Sequence, residues 1–431
     1  MADTALVLLV LLLAWPAYNL AQAGIVRWRP RPAVRPWRPA QTPVFWLVLP
    51  ALNQEAGIAG TVTAALALDP AVRVLVVDDG STDRTARIVA GIDDPRLFLL
   101  RRVTPNARHG KGEALNAAYR YVWDAAVADG SVDRCVLGVF DADGRGTPGM
   151  LAEIGAYLGD PDVAAVQCAV RVRDRRRFAA VQQDLATGGV ADAGQRLRDR
   201  LGSAELGGAG QFVRLTALSA FGDRPWSRGP AEDLDLSLRL HLAGRRVRYA
   251  ADAVVTRQGP ADGRATARSR TRAAQGDLQC LRYVPRLLTD PSVRPPARLG
   301  FGCRLLAPWV RTPLALAVLG MVVLTATGMA LGVGFGGLVG TGAPSPRTLA
   351  CWLAVLFGPG LLWAVTYLLR YADAAPGRAL LAGLAYPGFV GLGLVASWRA
   401  LGRHLAGRTG RVRTGPLTEP AGGQDLVRRA A

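Results

Sequence analysis

Between residues 44 and 172, short apolar runs alternate with longer stretches in which apolar residues recur every three or four positions. The short runs predict buried strands, and the longer stretches predict amphipathic helices. Strands that alternate with helices predict an α/β domain with a mainly parallel sheet covered by helices on both faces. The predicted strands are 44–49, 72–77, 96–100, 135–140 and 163–172, and the predicted helices are 58–68, 84–89 and 113–128.

Polar side chains follow three of these predicted strands at the point where each strand ends. They are Asn53 and Glu55 after the first strand, Asp79 after the second, and Asp141 and Asp143 after the fourth. Parallel sheets of this kind bind their ligands at the carboxyl ends of the strands. The pattern therefore predicts one polar ligand site at this edge of the sheet.

Longer apolar segments lie at both ends of the chain, and each has about the 20 residues that a helix needs to cross a bilayer. The first spans 5–26, and a cleaved signal peptide is the alternative because Ala21-Gln22-Ala23 resembles a cleavage site. Asp3 and the lack of Lys or Arg before the segment favour an uncleaved anchor. The arginines at 27–38 predict a cytoplasmic location for the domain that follows.

Three further apolar segments, 313–339, 349–369 and 379–398, predict a multi-pass protein of the cell membrane. Four complete crossings would leave the arginine-rich tail outside, against the usual charge distribution. Either one segment is re-entrant or interfacial, or the last span departs from that distribution. The predicted organisation is an anchor at 1–26, a basic Pro-rich linker at 27–42, a cytoplasmic catalytic domain at 43–290, a basic membrane-surface segment at 291–312, transmembrane helices at 313–398 and a basic tail at 399–431.

The chain has 431 residues and a formal net charge of +19, which arginine carries almost entirely. Such an excess suits nucleic acid or an anionic membrane surface. Many of the arginines flank apolar segments, and no helix-turn-helix, zinc-finger or RNP pattern is present, so the membrane is favoured and nucleic acid is not expected. The five cysteines show no C-x-x-C spacing, which argues against a disulfide framework or a zinc site.

Two acidic pairs have the placement expected of a catalytic centre. Asp141-Ala142-Asp143 follows a buried strand, and one or two carboxylates with substrate phosphates commonly hold Mg²⁺. Glu232-Asp233 opens an amphipathic helix, where Asp233 is a candidate base for an acceptor hydroxyl. The alternatives are a solvated acidic loop for the first pair and favourable charges at a helix N-terminus for the second.

Three further clusters are candidates for binding a nucleotide diphosphate. Asp79 is placed to bind a ribose or a base edge, and a simple turn with a helix cap is the alternative. Lys111 lies between two glycines at a helix start, which favours an anion, although an exposed loop lysine is the default. The arginines of 268–272 suit either a diphosphate or anionic lipid, and the sequence favours neither.

The order of these motifs resembles that of the membrane-bound family 2 glycosyltransferases, the group that contains hyaluronan, chitin and cellulose synthases. The resemblance covers residues 44–279. Several short motifs in one order are far more specific than any single one. They are 49–55 (the family's VPAYNEE, with Gln54 in place of the first Glu), 77–83 (the nucleotide-binding stretch), 110–116 (GKGxALN), 141–143 (DxD), 208–214 (GNGxxxR) and 232–233 (ED).

This resemblance implies a GT-A fold, which is a Rossmann-like α/β domain, joined to N- and C-terminal transmembrane helices. It also implies an inverting transfer from a nucleotide-diphosphate sugar, with UDP as the expected carrier and Mg²⁺ or Mn²⁺ as the metal. Asp233 with Glu232 is implied as the catalytic pair, Asp143 as the metal ligand, and Gly208 and Gly210 as residues near the acceptor. The residues implied in donor binding are Pro50, Asn53, Glu55, Asp79, Lys111, Asp141, Arg270 and Arg272.

The chain departs from the polymerising members of that family at one motif. These members carry Q-x-x-R-W after the acidic pair, and this chain has Ser269 and Ala273 where the Gln and the Trp stand. The Trp helps to place the acceptor sugar in those enzymes, so its loss predicts transfer of one or a few sugars to a lipid or saccharide hydroxyl. A processive polysaccharide synthase that exports its product and a non-catalytic membrane scaffold are the alternatives.

Overall fold

The computed structural model describes residues 17, 19–24, 42–260, 263–331, 346–370 and 375–406. Within these residues eight strands form a single sheet. The strands are β1 (Val44–Ala51), β2 (Arg73–Asp78), β3 (Leu97–Arg101), β4 (Cys135–Val139), β5 (Arg145–Gly146), β6 (Val163–Val172), β7 (Gln211–Arg214) and β8 (Arg246–Arg257).

The strand order is β3-β2-β1-β4-β7-β6-β8-β5. β1 lies parallel to β2 and β4, β2 is parallel to β3, and β6 is parallel to β8. The pairs that involve β7 or β5 are antiparallel. The prediction of a mainly parallel sheet is confirmed, and β5, β7 and β8 extend it beyond the strands that the sequence predicts. Because β1, β2 and β4 are parallel neighbours, the loops at their carboxyl ends share one edge.

Helices surround this sheet and continue beyond it towards the C-terminus. A π-helical turn, Leu185–Ala191, joins α5 to α6, and short 3₁₀ helices occur at Val132–Arg134 and Leu281–Tyr283. The α-helices are α1 (Ile58–Leu66), α2 (Thr85–Ala90), α3 (Lys111–Ala128), α4 (Met150–Leu158), α5 (Phe178–Asp184), α6 (Asp192–Leu201), α7 (Leu215–Ser219), α8 (Glu232–Leu242), α9 (Gly263–Cys280), α10 (Val284–Thr289), α11 (Pro295–Leu331), α12 (Pro346–Arg370), α13 (Pro376–Leu384) and α14 (Tyr386–Leu405).

The central strand β1 supplies side chains to a hydrophobic layer on each face of the sheet, since alternate residues of a strand point to opposite faces. Trp46 and Val48 pack with residues of α3 and α8. Leu47 and Leu49 pack with residues of α1 and α4. Each such fully buried aliphatic side chain contributes about 1.5–3 kcal/mol to folding. Both layers are thus built as the alternating pattern predicts, with helices on both faces.

One helix among the described residues, α12, is long and apolar enough to cross a membrane, and it matches the predicted segment 349–369. The helices α13 and α14 pass the same test only together, and they are bent by 50° at the break between them. The long helix α11 has a shorter apolar part at Leu316–Leu331 and runs unbroken through residue 313. Residues 332–345, which follow it, lie outside the described residues.

The C-terminal end of α12 is docked on the α/β domain by two buried carboxylates at the ends of the π-helical turn. Asp184 accepts hydrogen bonds from the Tyr367 hydroxyl at 2.5 Å and from Arg171 Nη2 at 2.7 Å. At the other end, Asp192 pairs with Arg370 Nη1 at 3.3 Å. These contacts fix the position of α12 relative to the sheet through charged hydrogen bonds that are shielded from water.

The N-terminal anchor predicted at 1–26 and the linker predicted at 27–42 lie mostly outside the described residues, as does the tail after residue 406. The predictions for these segments therefore stay predictions. Residues 19–24 are helical. The Trp363 Nε1–H group of α12 donates a hydrogen bond to Asn19 Oδ1 at 2.6 Å, so this short segment lies against α12.

Candidate active site

Asp79 lies in the loop after β2 with its carboxylate almost completely buried. The carboxylate accepts hydrogen bonds from the Arg102 guanidinium and, at 3.0 Å, from the Arg108 backbone N–H. Burial raises the pKa of Asp79, and the Arg108 N–H and Arg102 oppose this effect. The loop between β3 and α3 thus covers most of the carboxylate. The carboxylate remains an acceptor of hydrogen bonds at this edge of the sheet.

The loop after β1 braces the loop that carries Asp79. The Asn53 backbone N–H donates to Ser81 Oγ at 3.0 Å, and Asn53 itself has a positive φ of 54°. Glu55 Oε2 accepts hydrogen bonds from the backbone N–H and the Nε–H of Arg84, at 3.0 and 3.1 Å. Pro50 lies within β1. Asn53 and Glu55, which were predicted to bind the donor, therefore hold the loop after β1 against the loop that carries Asp79.

Lys111, the first residue of α3, joins three other predicted site residues. Its Nζ donates hydrogen bonds to Asp141 Oδ1 at 2.6 Å and to the carbonyl oxygen of Gly208. A Cβ atom added at Gly208 would lie 3.5 Å from Asp233 Oδ2 and 3.6 Å from Lys111 Nζ. Lys111, Asp141, Gly208 and Asp233 therefore form one cluster, which is called the central cluster below.

The two carboxyl groups of the D-x-D motif have opposite electrostatic states. Burial would raise the pKa of Asp141, but Lys111, with Arg257 and Arg272, lowers it below the ordinary value. Burial and the charge of Asp141 raise the pKa of Asp143. Asp141 is therefore held as the anion by surrounding cations, whereas burial, with the charge of Asp141, disfavours the anion of Asp143.

The surroundings of Asp143 fit a divalent metal ion. Within the described residues its carboxylate accepts one hydrogen bond, from the Gln258 N–H to Oδ2 at 2.9 Å, so the other oxygen is available to a ligand. A bound cation would offset the charge that raises the pKa of this group. The described residues contain no group of three or more His, Cys, Asp or Glu side chains that could hold a metal. Mg²⁺ and similar ions need only one or two carboxylates when phosphates supply the remaining oxygens.

Asp233, the second residue of α8, has the protonation behaviour of a general base. Burial and the neighbouring charge of Glu232 raise its pKa to about 7, although the Leu234 N–H and Lys111 act in the opposite direction. A catalytic base works best when its pKa lies near the working pH. Glu232 is itself buried, at 4% exposure, so the pair brings two carboxyl groups into a region that excludes water.

The two arginines that were predicted to bind the diphosphate make different contacts. Arg272 lies close enough to the D-x-D motif to lower the pKa of Asp141. Arg270 Nη1 donates to the Phe389 carbonyl oxygen at 2.5 Å, and its guanidinium lies 3.4 Å from the centre of the Phe389 ring. The structure thus brings Arg272 to the acidic motif and places Arg270 against α14.

Gly210 lies inside the sheet, two residues after the glycine of the central cluster. Its N–H donates to the Val139 carbonyl and its own carbonyl accepts from the Cys168 N–H, both at 2.8 Å. The φ angle is +73°, and an added Cβ atom would lie 3.0 Å from Val255 Cγ2. This backbone conformation and the close approach of neighbours require glycine. Gly210 therefore positions the loop, and Gly208 contacts the polar groups.

Three residues near the site were not predicted from the sequence. Arg102 holds Asp79, Arg257 lowers the pKa of Asp141, and Gln258 donates to Asp143. Arg102 directly follows β3, so the rule that placed the other polar groups at strand ends could have indicated it. Arg257 and Gln258 stand at the end of β8, a strand that the sequence pattern did not predict, and no signal pointed to them.

Residues 42–276 match the family model described as "Glycosyltransferase like family 2". The chain belongs to this family. The match covers the whole sheet, the central cluster and most of α9. The predicted enzyme class, a glycosyltransferase, is thereby confirmed.

Curated relatives are similar over the same region. Beta-monoglucosyldiacylglycerol synthase of Synechocystis sp. is 32% identical over 262 residues, which are 56% of this chain and 49% of that protein. The protein of the same name from Nostoc sp. is 30% identical over 268 residues, which are 61% of this chain and 54% of that protein. Probable glycosyltransferase YdaM of Bacillus subtilis is 27% identical over 250 residues, 55% and 56% of the two chains. The chain spans about half the length of these relatives.

Among solved structures, the fold is similar to that of the mannosyltransferase PcManGT from Pyrobaculum calidifontis, determined in complex with GDP-Man and Mn²⁺. The TM-score is 0.55 at 19% sequence identity, and the superposition covers 93% of this chain and 97% of that one. At this identity the likeness shows the fold. The predicted Rossmann-like GT-A architecture is confirmed.

Proposed function

We propose that this protein is a membrane-bound, inverting glycosyltransferase that moves a single sugar from a nucleotide diphosphate, with UDP as the carrier, to a hydroxyl of a lipid such as diacylglycerol. The central cluster carries this proposal. It combines a buried carboxyl group whose pKa is about 7, Asp233, with a cation, Lys111, and the first carboxylate of the D-x-D motif. A base and a cationic centre side by side suit a displacement in which a hydroxyl loses a proton and a diphosphate departs.

In the proposed reaction, Asp233 takes the proton of the acceptor hydroxyl while the hydroxyl oxygen attacks the anomeric carbon of the donor sugar. The bond from that carbon to the diphosphate oxygen breaks on the opposite side, so the configuration inverts. Lys111 and Arg272, which both lie near Asp141, are placed to stabilise the negative charge on the leaving diphosphate. Asp143 would hold a divalent ion, which would supply further positive charge to that diphosphate.

The surroundings of Asp79 favour a base that presents a ring N–H, as uracil and guanine do, and the family resemblance favours UDP between these two carriers. The buried carboxylate is an acceptor of hydrogen bonds, and Arg102 beside it supplies donors. Uracil presents an imide N–H between two carbonyl groups, which complements a carboxylate and a guanidinium. Adenine and cytosine present ring nitrogens without hydrogen at the equivalent position, so the same carboxylate would repel them.

The lipid acceptor and the membrane location rest on the C-terminal helices and on the names of the relatives. Arg270 fastens α9, which also carries Arg272, directly to α14 of the bent helix pair. A lipid acceptor held beside α14 would therefore lie against the helix that also carries Arg272. The relatives from Synechocystis sp. and Nostoc sp. are named as synthases of a glucosyl lipid. The arginines at 27–38 support a cytoplasmic location for the catalytic domain.

The experiment is a transfer assay with the purified full-length chain in detergent micelles, diacylglycerol, and UDP- and GDP-sugars offered in turn. We expect release of UDP and formation of a monoglycosyl lipid, both dependent on Mn²⁺ or Mg²⁺. The matched control is Asp233→Asn, which keeps the shape of the side chain and should bind UDP as the parent does. A ladder of long chains would favour the processive synthase, and no nucleotide release from any donor would favour the scaffold. Turnover of Asp233→Asn near the parent rate would reject Asp233 as the base.

A further inference from the structure

A cavity of about 210 Å³ lies between the loop before α8, the last turns of α9 and the residues that follow α9. Ala231 and Asp235, which are one helical turn apart, form one wall. Asp233 lies two positions from each of them, and two positions correspond to about 200° around an α-helix. The cavity and the central cluster therefore lie on opposite sides of α8. The other lining residues are Ser227, Arg228, Gly229, Gly276, Gln279, Cys280 and Arg282.

The residues that line the cavity carry more positive than negative charge, since two arginines, Arg228 and Arg282, stand against one carboxylate, Asp235. Four guanidinium groups share two carboxylates, which leaves two positive charges in excess among these six groups. The pairs are Glu113 with Arg224 at 2.7 Å and Arg228 at 2.8 Å, and Asp235 with Arg239 at 2.9 Å and Arg282 at 2.7 Å. Like charges held this close together repel one another unless an anion joins them.

Two of the four arginines, Arg228 and Arg282, line the cavity. Their side chains are 67% and 61% exposed. Arg228 uses its Nε on Glu113, and Arg282 uses its Nη2 on Asp235 and, at 3.2 Å, on the Tyr283 hydroxyl. The remaining N–H groups are available to a ligand, and a guanidinium matches the geometry of phosphate oxygens. The cavity has about the volume that seven water molecules occupy in liquid water. This volume is enough for a phosphate group and part of the ester that carries it.

We propose that this cavity is a binding site for a phosphate group, separate from the donor site and carried either by the headgroup of an anionic lipid or by a soluble phosphate ester. An occupant would contact Ala231, the residue directly before the acidic pair of α8. It would also contact Arg228, whose partner Glu113 lies two residues after Lys111. An occupant would thus contact residues that adjoin the central cluster in sequence or through a salt bridge. It would not contact the polar groups of the cluster itself.

The test is a titration with inorganic phosphate of the full-length protein in phosphatidylcholine nanodiscs at constant ionic strength, with thermal unfolding as the readout. Arg228→Gln and Arg282→Gln each remove a guanidinium that lines the cavity. Arg224→Gln is the matched control, because it removes the same charge from the same carboxylate, Glu113, but does not line the cavity. We expect about tenfold weaker phosphate binding for the first two variants and a much smaller change for the control, which alters the nearby charge but removes no direct contact. Phosphate in the donor site contributes equally to all of them.

Unchanged phosphate binding in both cavity variants, or equal weakening in Arg224→Gln, would overturn the proposal. If Arg228→Gln has a lowered melting temperature without phosphate, Arg282→Gln alone decides. A second set of nanodiscs contains phosphatidylglycerol and distinguishes the two sources of the phosphate group. Loss of the phosphate response of the parent in these nanodiscs supports a lipid headgroup as the occupant, and an unchanged response supports a soluble phosphate ester.

Discussion

The pKa of Asp233 predicts how the rate of sugar transfer depends on pH. Burial and the charge of Glu232 raise this pKa to about 7. If Asp233 takes the proton of the acceptor, only its ionised form is active. The value of kcat/KM for the acceptor should then fall about tenfold for each pH unit below this pKa and reach a plateau above it, because kcat/KM reports the protein before the acceptor binds. Glu232→Gln removes the neighbouring negative charge and should move the falling part of the profile to lower pH.

The size of this movement follows from the Coulomb interaction between the two carboxylates. If the carboxylates of two successive residues are taken as roughly 7 Å apart, two unit charges interact by about 2 kcal/mol at an effective dielectric constant of about 20. One pKa unit corresponds to about 1.4 kcal/mol, so Glu232→Gln should lower the pKa of Asp233 by about 1 to 2 units. Burial, the larger cause, remains, and the pKa should stay above its ordinary value of 3.8. At pH 6 the parent would then keep about a tenth of its plateau rate, and the variant more than half.

The assay measures initial rates of nucleotide release from about pH 5 to about pH 9, with donor and Mn²⁺ saturating at every pH. Asp129→Asn is the matched control, since Asp129 pairs with Arg73 at 2.6 Å beside the start of β2, at the opposite edge of the sheet. Its profile should coincide with that of the parent. A midpoint that does not move in Glu232→Gln, or that moves equally in the control, would refute the assignment of this pKa to Asp233.

Three further changes test other parts of the structure. Removal of divalent ions with EDTA should stop transfer in the parent, and Asp143→Ala should need about tenfold or more Mn²⁺ for half of its maximal rate, as metal titration measures. Gly276→Ala places a Cβ atom against Ala231, closer than real Cβ atoms come to a neighbour, so it should lower kcat while equilibrium binding of UDP is kept. Asp184→Ala leaves two arginines of a buried cluster without their carboxylate and should lower the free energy of unfolding by about 3–5 kcal/mol in a denaturant titration, whereas the exposed Asp174→Ala should change it little.

The strands that could be predicted from the sequence are those that are buried on both faces, because such strands appear as continuous apolar runs. The predicted strands 44–49, 72–77 and 135–140 agree with β1, β2 and β4 within two residues at each end. β7 has only four residues, and β8 carries Arg246, Arg248 and an exposed Asp252, so neither forms an apolar run. Each of these two strands is stabilised by pairing with a strand on either side. The pattern of apolar and polar residues along the chain does not reveal such pairing.

The polar residues of the site were predicted to the extent that they follow predicted strands or open predicted helices. The rule for strand ends placed Asp79, Asp141 and Asp143 at one edge, where the structure has them. The contact between Lys111 and the Gly208 carbonyl joins residues that are 97 positions apart, and no spacing along the chain predicts it. Local geometry can thus be read from the sequence, whereas the meeting of two loops requires the fold.

Helical geometry alone could have predicted that the two arginines of α9, Arg270 and Arg272, do not bind the same diphosphate. Arg270 and Arg272 are two positions apart, so their side chains leave the helix about 200° from each other. Two such residues face opposite sides, and one diphosphate cannot lie against both sides of a helix. The structure agrees with this geometry, because Arg272 lies near Asp141 while Arg270 contacts Phe389 of α14. One helix, α9, therefore contacts α14 through Arg270 and reaches the acidic motif through Arg272, which lies on its opposite side.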